Sequence, residues 1–83
     1  MNNQIRVLVV DDEPKICHLI EELLKLEGYR VDVSFSGMDA LQMLKRDDYQ
    51  MLLTDLKMPG IDGLELIKKA KAEYPEIRAI MVT

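Results

Sequence analysis

The sequence predicts a doubly wound α/β fold, in which helices cover both faces of a parallel sheet. Four short runs of β-branched and other apolar residues alternate with three amphipathic segments, in the order β-α-β-α-β-α-β. Single helices between successive strands imply parallel pairing with right-handed crossovers. The first run is continuously apolar rather than alternating, which is typical of a strand covered on both faces.

The first strand and the first helix are separated by a pair of acids. Residues 5–10 form the β-branched run, which ends at Asp11 and Asp12, and Pro14 suits the first turn of a helix. The only cysteine, Cys17, lies within the helical pattern and is predicted to be a buried structural thiol. A broad apolar stripe at helical spacing is predicted to face the core. It consists of Ile16, Leu19, Ile20, Leu23 and Leu24.

The second strand and helix follow a change of pattern. Residues 30–35 alternate between polar and apolar types, which is typical of a half-exposed strand at the edge of a sheet. Ser36, with Asp39 three residues later, resembles a capping box at a helix N-terminus. The inward side of this helix is predicted to consist of Met38, Leu41 and Leu44.

The third strand leads into a turn and the last helix. Residues 49–54 form the strand, and the proline-glycine pair at 59–60 predicts a turn. Asp62 with Glu65 repeats the capping pattern, and the fourth strand is predicted at residues 78–82. The core side of the last helix is predicted to consist of Leu64, Ile67, Ala70 and Tyr74.

Composition limits the possible functions. Eighty-three residues allow one small domain, and 48% hydrophobic with 31% charged residues is a globular balance. The net charge of −4 provides no attraction to nucleic acid or to anionic lipid. No apolar run approaches the ~18 residues of a membrane span, and no signal sequence is recognisable. We therefore predict a cytoplasmic protein that itself binds neither nucleic acid nor membrane.

Acids mark the carboxyl ends of two strands. Asp11 and Asp12 follow the first strand, and Asp55 follows the third. With the alternating second strand at the edge, the predicted order is 2-1-3-4, so the first and third strands are neighbours. Ligands of open parallel sheets bind at this end, where the strand order reverses. Clustered carboxylates repel one another unless a cation neutralises them, and Mg²⁺ prefers oxygen ligands.

Each acid also has a simpler interpretation. Asp12 and Asp62 are equally well explained as caps of the helices that follow them, and Asp62 is assigned as a cap. Asp55 has no helix directly after it, which favours a chemical role. A carboxylate beside Mg²⁺ can act as a nucleophile toward a phosphoryl group. Thr83, at the end of the fourth strand, would offer a hydroxyl there, whereas Lys57 is either a salt-bridge partner or the donor of a backbone carbonyl.

Three stretches, "VLVVDDEP", "LLTDLKMPGIDGLEL" and "AIMVT", resemble the receiver domain of two-component response regulators. The resemblance implies a flavodoxin-like fold in which Asp55 accepts a phosphoryl group from a sensor histidine kinase. It also implies Mg²⁺ held by Asp12, Asp55 and the Lys57 carbonyl, and by Asp11 through water. Thr83 would be the switch hydroxyl. Such a domain assists its own phosphorylation and dephosphorylation without a separate substrate, so we expect no enzyme in the usual sense.

The resemblance stops short at the carboxyl end of the chain. A complete receiver has five strands and five helices, whereas residues 1–83 lack the fourth helix, the fifth strand and the fifth helix. The family's lysine at the end of the fifth strand is absent with them. We therefore expect the N-terminal part of a receiver domain, slowly phosphorylated and impaired in switching.

Two further interpretations are weighed against phosphotransfer. The chain is alternatively a structural or self-associating fragment without phosphotransfer activity, since the fourth-strand edge and an uncovered sheet face favour a homo-oligomer. A phosphatase of the haloacid dehalogenase kind is disfavoured, because that family has a second aspartate where Lys57 stands.

Overall fold

A computed structural model describes residues 4–82. Its elements follow the predicted order and are β1 (Arg6–Val10), α1 (Pro14–Leu26), β2 (Arg30–Ser34), α2 (Gly37–Arg46), β3 (Met51–Asp55), α3 (Gly63–Glu73) and β4 (Arg78–Val82). The strands are parallel, in the order β2-β1-β3-β4. The predicted fold class and strand order are therefore confirmed. The predicted switch hydroxyl, Thr83, lies outside the described residues.

The sheet separates two apolar clusters. Leu8 and Val10 of β1 belong to the larger cluster, which α2 and α3 cover on one face. Val7 and Val9 belong to the cluster beneath α1 on the other face. All four side chains are buried, so β1 is covered on both faces, as its continuous apolar run predicts.

Helix α1 buries only one side of its predicted stripe. Cys17, Ile20 and Leu24 pack against the sheet. Ile16, Leu19 and Leu23 are exposed, so the prediction that all five stripe residues face the core is wrong. The stripe is broader than the line along which α1 contacts the sheet, so the residues on its outer flank remain exposed within residues 4–82.

The thiol of Cys17 is buried, as predicted. Its Sγ donates to the backbone carbonyls of Asp11, at 3.4 Å, and Ser34, at 3.6 Å. Burial, reinforced by the negative charge of Asp11, raises the pKa of the Cys17 thiol to about 11. This cysteine is therefore protonated at neutral pH and unsuited to nucleophilic chemistry.

The capping predictions for α2 and α3 are confirmed, but two core predictions are wrong. The side chain of Ser36 accepts the Asp39 N–H at the start of α2. The predicted core residues Met38 and Leu64 are exposed. In each helix a buried glycine takes the first position, and the next residue lies about 100° further round the axis, which turns it outward. Within residues 4–82, no helix has the length and apolar character needed to cross a membrane.

Candidate functional site

Three acids meet at the carboxyl ends of the two inner strands. Asp55 is the last residue of β3, and Asp11 directly follows β1. Val10 is paired with Thr54 in the parallel register, so the chain positions after them, Asp11 and Asp55, lie side by side. One carboxylate oxygen each from Asp11, Asp12 and Asp55 lies within 4.8 Å of the others.

Backbone hydrogen bonds fix two of these acids. Asp11 Oδ1 accepts the Glu13 N–H at 2.9 Å, and the Asp11 N–H donates to the Ser34 carbonyl at 3.1 Å. Asp55 Oδ1 accepts the Leu56 N–H at 2.8 Å. Each of the two carboxylates therefore has one oxygen tied to the backbone.

The electrostatics of the site favour a cation. Burial raises the pKa of the Asp11 carboxyl, and the negative charges of Asp55 and Asp12 raise it further. The hydrogen bond from the Glu13 N–H opposes this rise. Three carboxylates at this separation offer the hard oxygen ligands that Mg²⁺ takes, and they leave positions for water or for phosphate oxygens. The donor set therefore fits a divalent cation.

The raised pKa of Asp11 leads to a stability prediction. A group whose pKa is raised on folding contributes its full stability below its ordinary pKa, here 3.8, and loses it as the pH rises. The ionised Asp11 therefore weakens the metal-free fold at pH 7. Asp11→Asn keeps an oxygen for the Glu13 N–H, and we expect it to raise the free energy of unfolding at pH 7.

Urea unfolding at pH 7 and at pH 3 measures this effect. The gain from Asp11→Asn should disappear at pH 3, where the carboxyl is protonated in both the folded and unfolded states. Asp48→Asn removes an exposed acid far from the cluster and is the matched control. A loss of stability at pH 7 in Asp11→Asn alone would contradict the proposed cost of burying the charged Asp11 beside Asp55 and Asp12.

Asp12 and Asp62, both considered as helix caps, have different roles in the structure. The N-cap of α1 is Glu13, which makes no side-chain capping bond, and Pro14 takes the first turn. The cap interpretation of Asp12 is therefore wrong, and this acid stays exposed at the cluster. Asp62 does cap α3, because its Oδ1 accepts the Glu65 N–H at 2.9 Å.

Lys57 lies in the turn between β3 and α3, with an exposed side chain. Its backbone carbonyl as a metal ligand stays a prediction. The only histidine, His18, is an exposed residue of α1 that pairs with Glu21, with 3.2 Å between Nδ1 and Oε1.

Gly63 is a positioning residue that the sequence pattern did not reveal. Its N–H donates to the Leu56 carbonyl at 2.9 Å, which holds the start of α3 against the end of β3. A Cβ at this position would clash with the carbonyl oxygen of Asp55 and lie 3.0 Å from the Leu56 Cα. Glycine has a low helix propensity, so a glycine at the start of a predicted helix is the sequence feature that could have indicated this role.

The sequence pattern of the response regulator receiver domain matches residues 7–83. The chain belongs to this family. Sporulation initiation phosphotransferase F of Bacillus subtilis is 35% identical over 94% of this chain, which spans 63% of that relative. The transcriptional regulatory protein ZraR of Klebsiella oxytoca is 34% identical over 96% of this chain, which spans only 18% of that protein.

Solved receiver structures confirm the flavodoxin-like fold. A receiver domain protein from Methanospirillum hungatei superposes with a TM-score of 0.94 at 32% identity, covering 98% of this chain and 65% of that one. The response regulator TrrA of Thermotoga maritima, solved with Mg²⁺-BeF, gives 0.90 at 37%, covering 94% and 68%. A second TrrA structure, in complex with the histidine kinase ThkA, gives 0.90 at 38%, covering 96% and 69%.

Proposed function

We propose that this receiver chain is a phosphoacceptor, and that Asp55 takes a phosphoryl group from the phosphohistidine of a sensor histidine kinase. One observation supports the proposal above all. Asp11, Asp12 and Asp55 lie together, with one carboxylate oxygen of each within 4.8 Å of the others. They lie at the end of the sheet where the strand order reverses. The complex of the similar regulator TrrA with a histidine kinase supports this class of partner.

Asp55 is favoured as the nucleophile because it alone of the three acids belongs to a strand. Strand β3 is paired on both sides, and Asp55 itself pairs with Val82 of β4. Its Oδ1 is held by the Leu56 N–H, so the other oxygen is left to attack. A carboxylate fixed in this way needs little reorganisation to reach a phosphorus atom.

The proposed step transfers one phosphoryl group between two side chains. The free oxygen of Asp55 forms a bond to phosphorus, and the bond between phosphorus and the imidazole nitrogen of the kinase breaks. The electron pair of that bond returns to the nitrogen, which takes a proton from solvent. The products are an aspartyl phosphate and a neutral histidine.

The acids of this site would also hold Mg²⁺. The proposed ligands are the carboxylates of Asp12 and Asp55 and the carbonyl of Lys57, with Asp11 acting through water. When bound, the ion neutralises the charge that the carboxylates and the phosphoryl oxygens bring together. The raised pKa of Asp11 supports this assignment, because burial of the carboxyl and then the negative charges of Asp55 and Asp12 disfavour its ionised form unless a cation is bound.

Incubation with acetyl phosphate tests the proposal without knowledge of the kinase. We expect intact-mass spectrometry to show one phosphoryl group per chain in the presence of Mg²⁺ and none after chelation of the metal. Hydroxylamine should remove the group, because an acyl phosphate is labile to it. A chain that binds Mg²⁺ but gains no phosphoryl group would be a structural or self-associating fragment.

A further inference from the structure

Ser34 is a buried polar residue of β2 that has no part in the proposed transfer step. Its side chain is only 1% exposed, although a hydroxyl is costly to bury unless it forms hydrogen bonds. Ser34 is the last residue of β2 and is paired with Val10, the residue before Asp11. A buried hydroxyl therefore lies beside the strand end from which Asp11 emerges.

The hydroxyl and the backbone carbonyl of Ser34 have different partners. The hydroxyl oxygen lies 3.0 Å from Asp39 Oδ2 and 3.0 Å from the Ser36 carbonyl oxygen, so its single hydrogen is shared between these acceptors. The Ser34 carbonyl accepts the Asp11 N–H at 3.1 Å. Ser34 therefore connects the first turn of α2 to Asp11.

Residues 34–39, here called the β2–α2 turn, are closed by two side-chain bonds. Asp39 is the third residue of α2, and its N–H donates to Ser36 Oγ at 3.1 Å while its carboxylate accepts the Ser34 hydroxyl. A bond to a charged acceptor is stronger than one between neutral groups. The end of β2 and the start of α2 are therefore fixed relative to each other.

The β2–α2 turn also contacts the loop between β3 and α3, which carries Lys57. A Cβ at Gly37 would lie 2.9 Å from both the Cβ and the carbonyl oxygen of Ile61, a residue of that loop. Ile61 itself packs against the larger apolar cluster. The turn and the loop therefore lie so close that only a glycine fits between them without a shift.

We propose that the β2–α2 turn is a positioning element of the acid cluster. The hydrogen bond between Ser34 and Asp39 fixes the carbonyl that holds the Asp11 N–H, and the contact of Gly37 with Ile61 fixes the loop between β3 and α3. The hold on Asp11 is a property of the metal-free chain. Only the effect on Mg²⁺ binding rests on the proposed function.

Amide hydrogen exchange of the metal-free protein tests the hold on Asp11. Ser34→Ala keeps the backbone carbonyl but removes the bond to Asp39, and we expect the Asp11 N–H to exchange about tenfold faster. The amide of Leu8, a fully buried residue of β1, reports changes in the stability of the whole fold. If the exchange rate of Asp11 relative to Leu8 is unchanged, Ser34 has no positioning role.

Tyr49→Phe is the matched control for Ser34→Ala. The Tyr49 hydroxyl donates to Asp32 Oδ2 at 2.7 Å, so this variant also costs β2 one bond between a hydroxyl and a carboxylate. Tyr49 precedes β3 and lies at the opposite end of the sheet from the acids. We expect it to leave the relative exchange rate of Asp11 unchanged. Equal effects of the two variants would mean that Asp11 responds to any weakening of β2, which would overturn the proposal.

Two substitutions of Asp39 separate the hydrogen bond from the charge. Asp39→Asn keeps an oxygen that accepts the Ser34 hydroxyl, so the Asp11 N–H should exchange at most about threefold faster than in the wild type. Asp39→Ala removes the acceptor and should match Ser34→Ala. If Asp39→Asn and Asp39→Ala have equal effects, the charge rather than the hydrogen bond holds the turn, and the role of Ser34 is refuted.

Mg²⁺ titration by calorimetry tests the contact between the turn and the loop. Gly37→Ala pushes a Cβ into Ile61, and we expect the Kd for Mg²⁺ to rise about tenfold, as for residues that orient metal ligands. Gly28→Ala is the matched control, because Gly28 follows α1 with a φ of 94° and has nothing within 4 Å of a built Cβ. It should leave the Kd unchanged.

The outcomes distinguish this inference from the proposed function. A wild-type chain that binds no Mg²⁺ would refute the proposed metal site, while the exchange rates of Asp11 would still decide the role of Ser34. If the wild type binds Mg²⁺ and both Gly37→Ala and Ser34→Ala bind it equally tightly, the metal site stands and the β2–α2 turn does not position it.

Discussion

Asp55→Asn is expected to abolish phosphorylation of the chain by acetyl phosphate in the presence of Mg²⁺. An amide oxygen does not attack phosphorus as a carboxylate oxygen does, so the nucleophile is lost. The substitution is nearly isosteric, and the amide oxygen still accepts the Leu56 N–H. We therefore expect the fold to survive, which thermal unfolding of the variant would establish alongside the mass measurement.

The matched control for this change is Asp62→Asn. Asp62 caps α3 through the Glu65 N–H, and asparagine caps a helix about as well as aspartate. This variant should be phosphorylated like the wild type. Retention of the phosphoryl group by Asp55→Asn would move the assignment to Asp11 or Asp12, and unchanged Mg²⁺ affinity in that variant would remove Asp55 from the metal site.

Gly63→Ala is expected to lower the free energy of unfolding by about 3 kcal/mol, the upper part of the range for overpacked sites. The added Cβ meets backbone atoms of Asp55 and Leu56, which have no rotamer to change. The start of α3 must then move away from β3, or the end of β3 must shift. Urea unfolding measures the loss of stability, and Mg²⁺ titration should show weaker binding because Asp55 is displaced.

Gly60→Ala separates steric crowding from backbone conformation. Gly60 has a positive φ of 76°, and nothing lies within 4 Å of a Cβ built there. Alanine at this turn therefore costs only the conformational penalty, about 1 kcal/mol. If both variants lose equal stability, α3 has room to move away from β3 and Gly63 does not position Asp55.

The alternation of strands and helices could be predicted from the sequence because it depends on local patterns of residues. The period of apolar residues changes between two and 3.6 at each element, and acids, glycines and prolines mark the boundaries. The amount of surface that each helix buries could not be predicted from the sequence. Helical spacing groups Leu19 and Leu24 into one stripe, whereas only the packing of α1 on the sheet decides that Leu24 is covered and Leu19 is exposed.

The functional site likewise has features that the sequence predicted and features that it could not predict. Asp11 and Asp55 were predictable as neighbours, because the carboxyl ends of adjacent parallel strands meet at one edge. Sequence could not decide whether Asp12 caps α1, since that depends on whether the helix starts at Pro14 with Glu13 before it. The close approach of Gly63 to Asp55 depends on a distance between a helix and a strand, which no local pattern encodes.

The acid cluster rests on β1 and β3, the two inner strands of the sheet. Folded proteins open locally, and strands with one neighbour detach at lower free energy than strands with two. Fraying of β2 or β4 therefore leaves the pairing of β1 with β3 intact, although fraying of β2 breaks the hydrogen bond from the Asp11 N–H to the Ser34 carbonyl. The pairing of the two strands that carry Asp11 and Asp55 is therefore expected to be lost only on global unfolding, whereas the orientation of Asp11 also depends on β2.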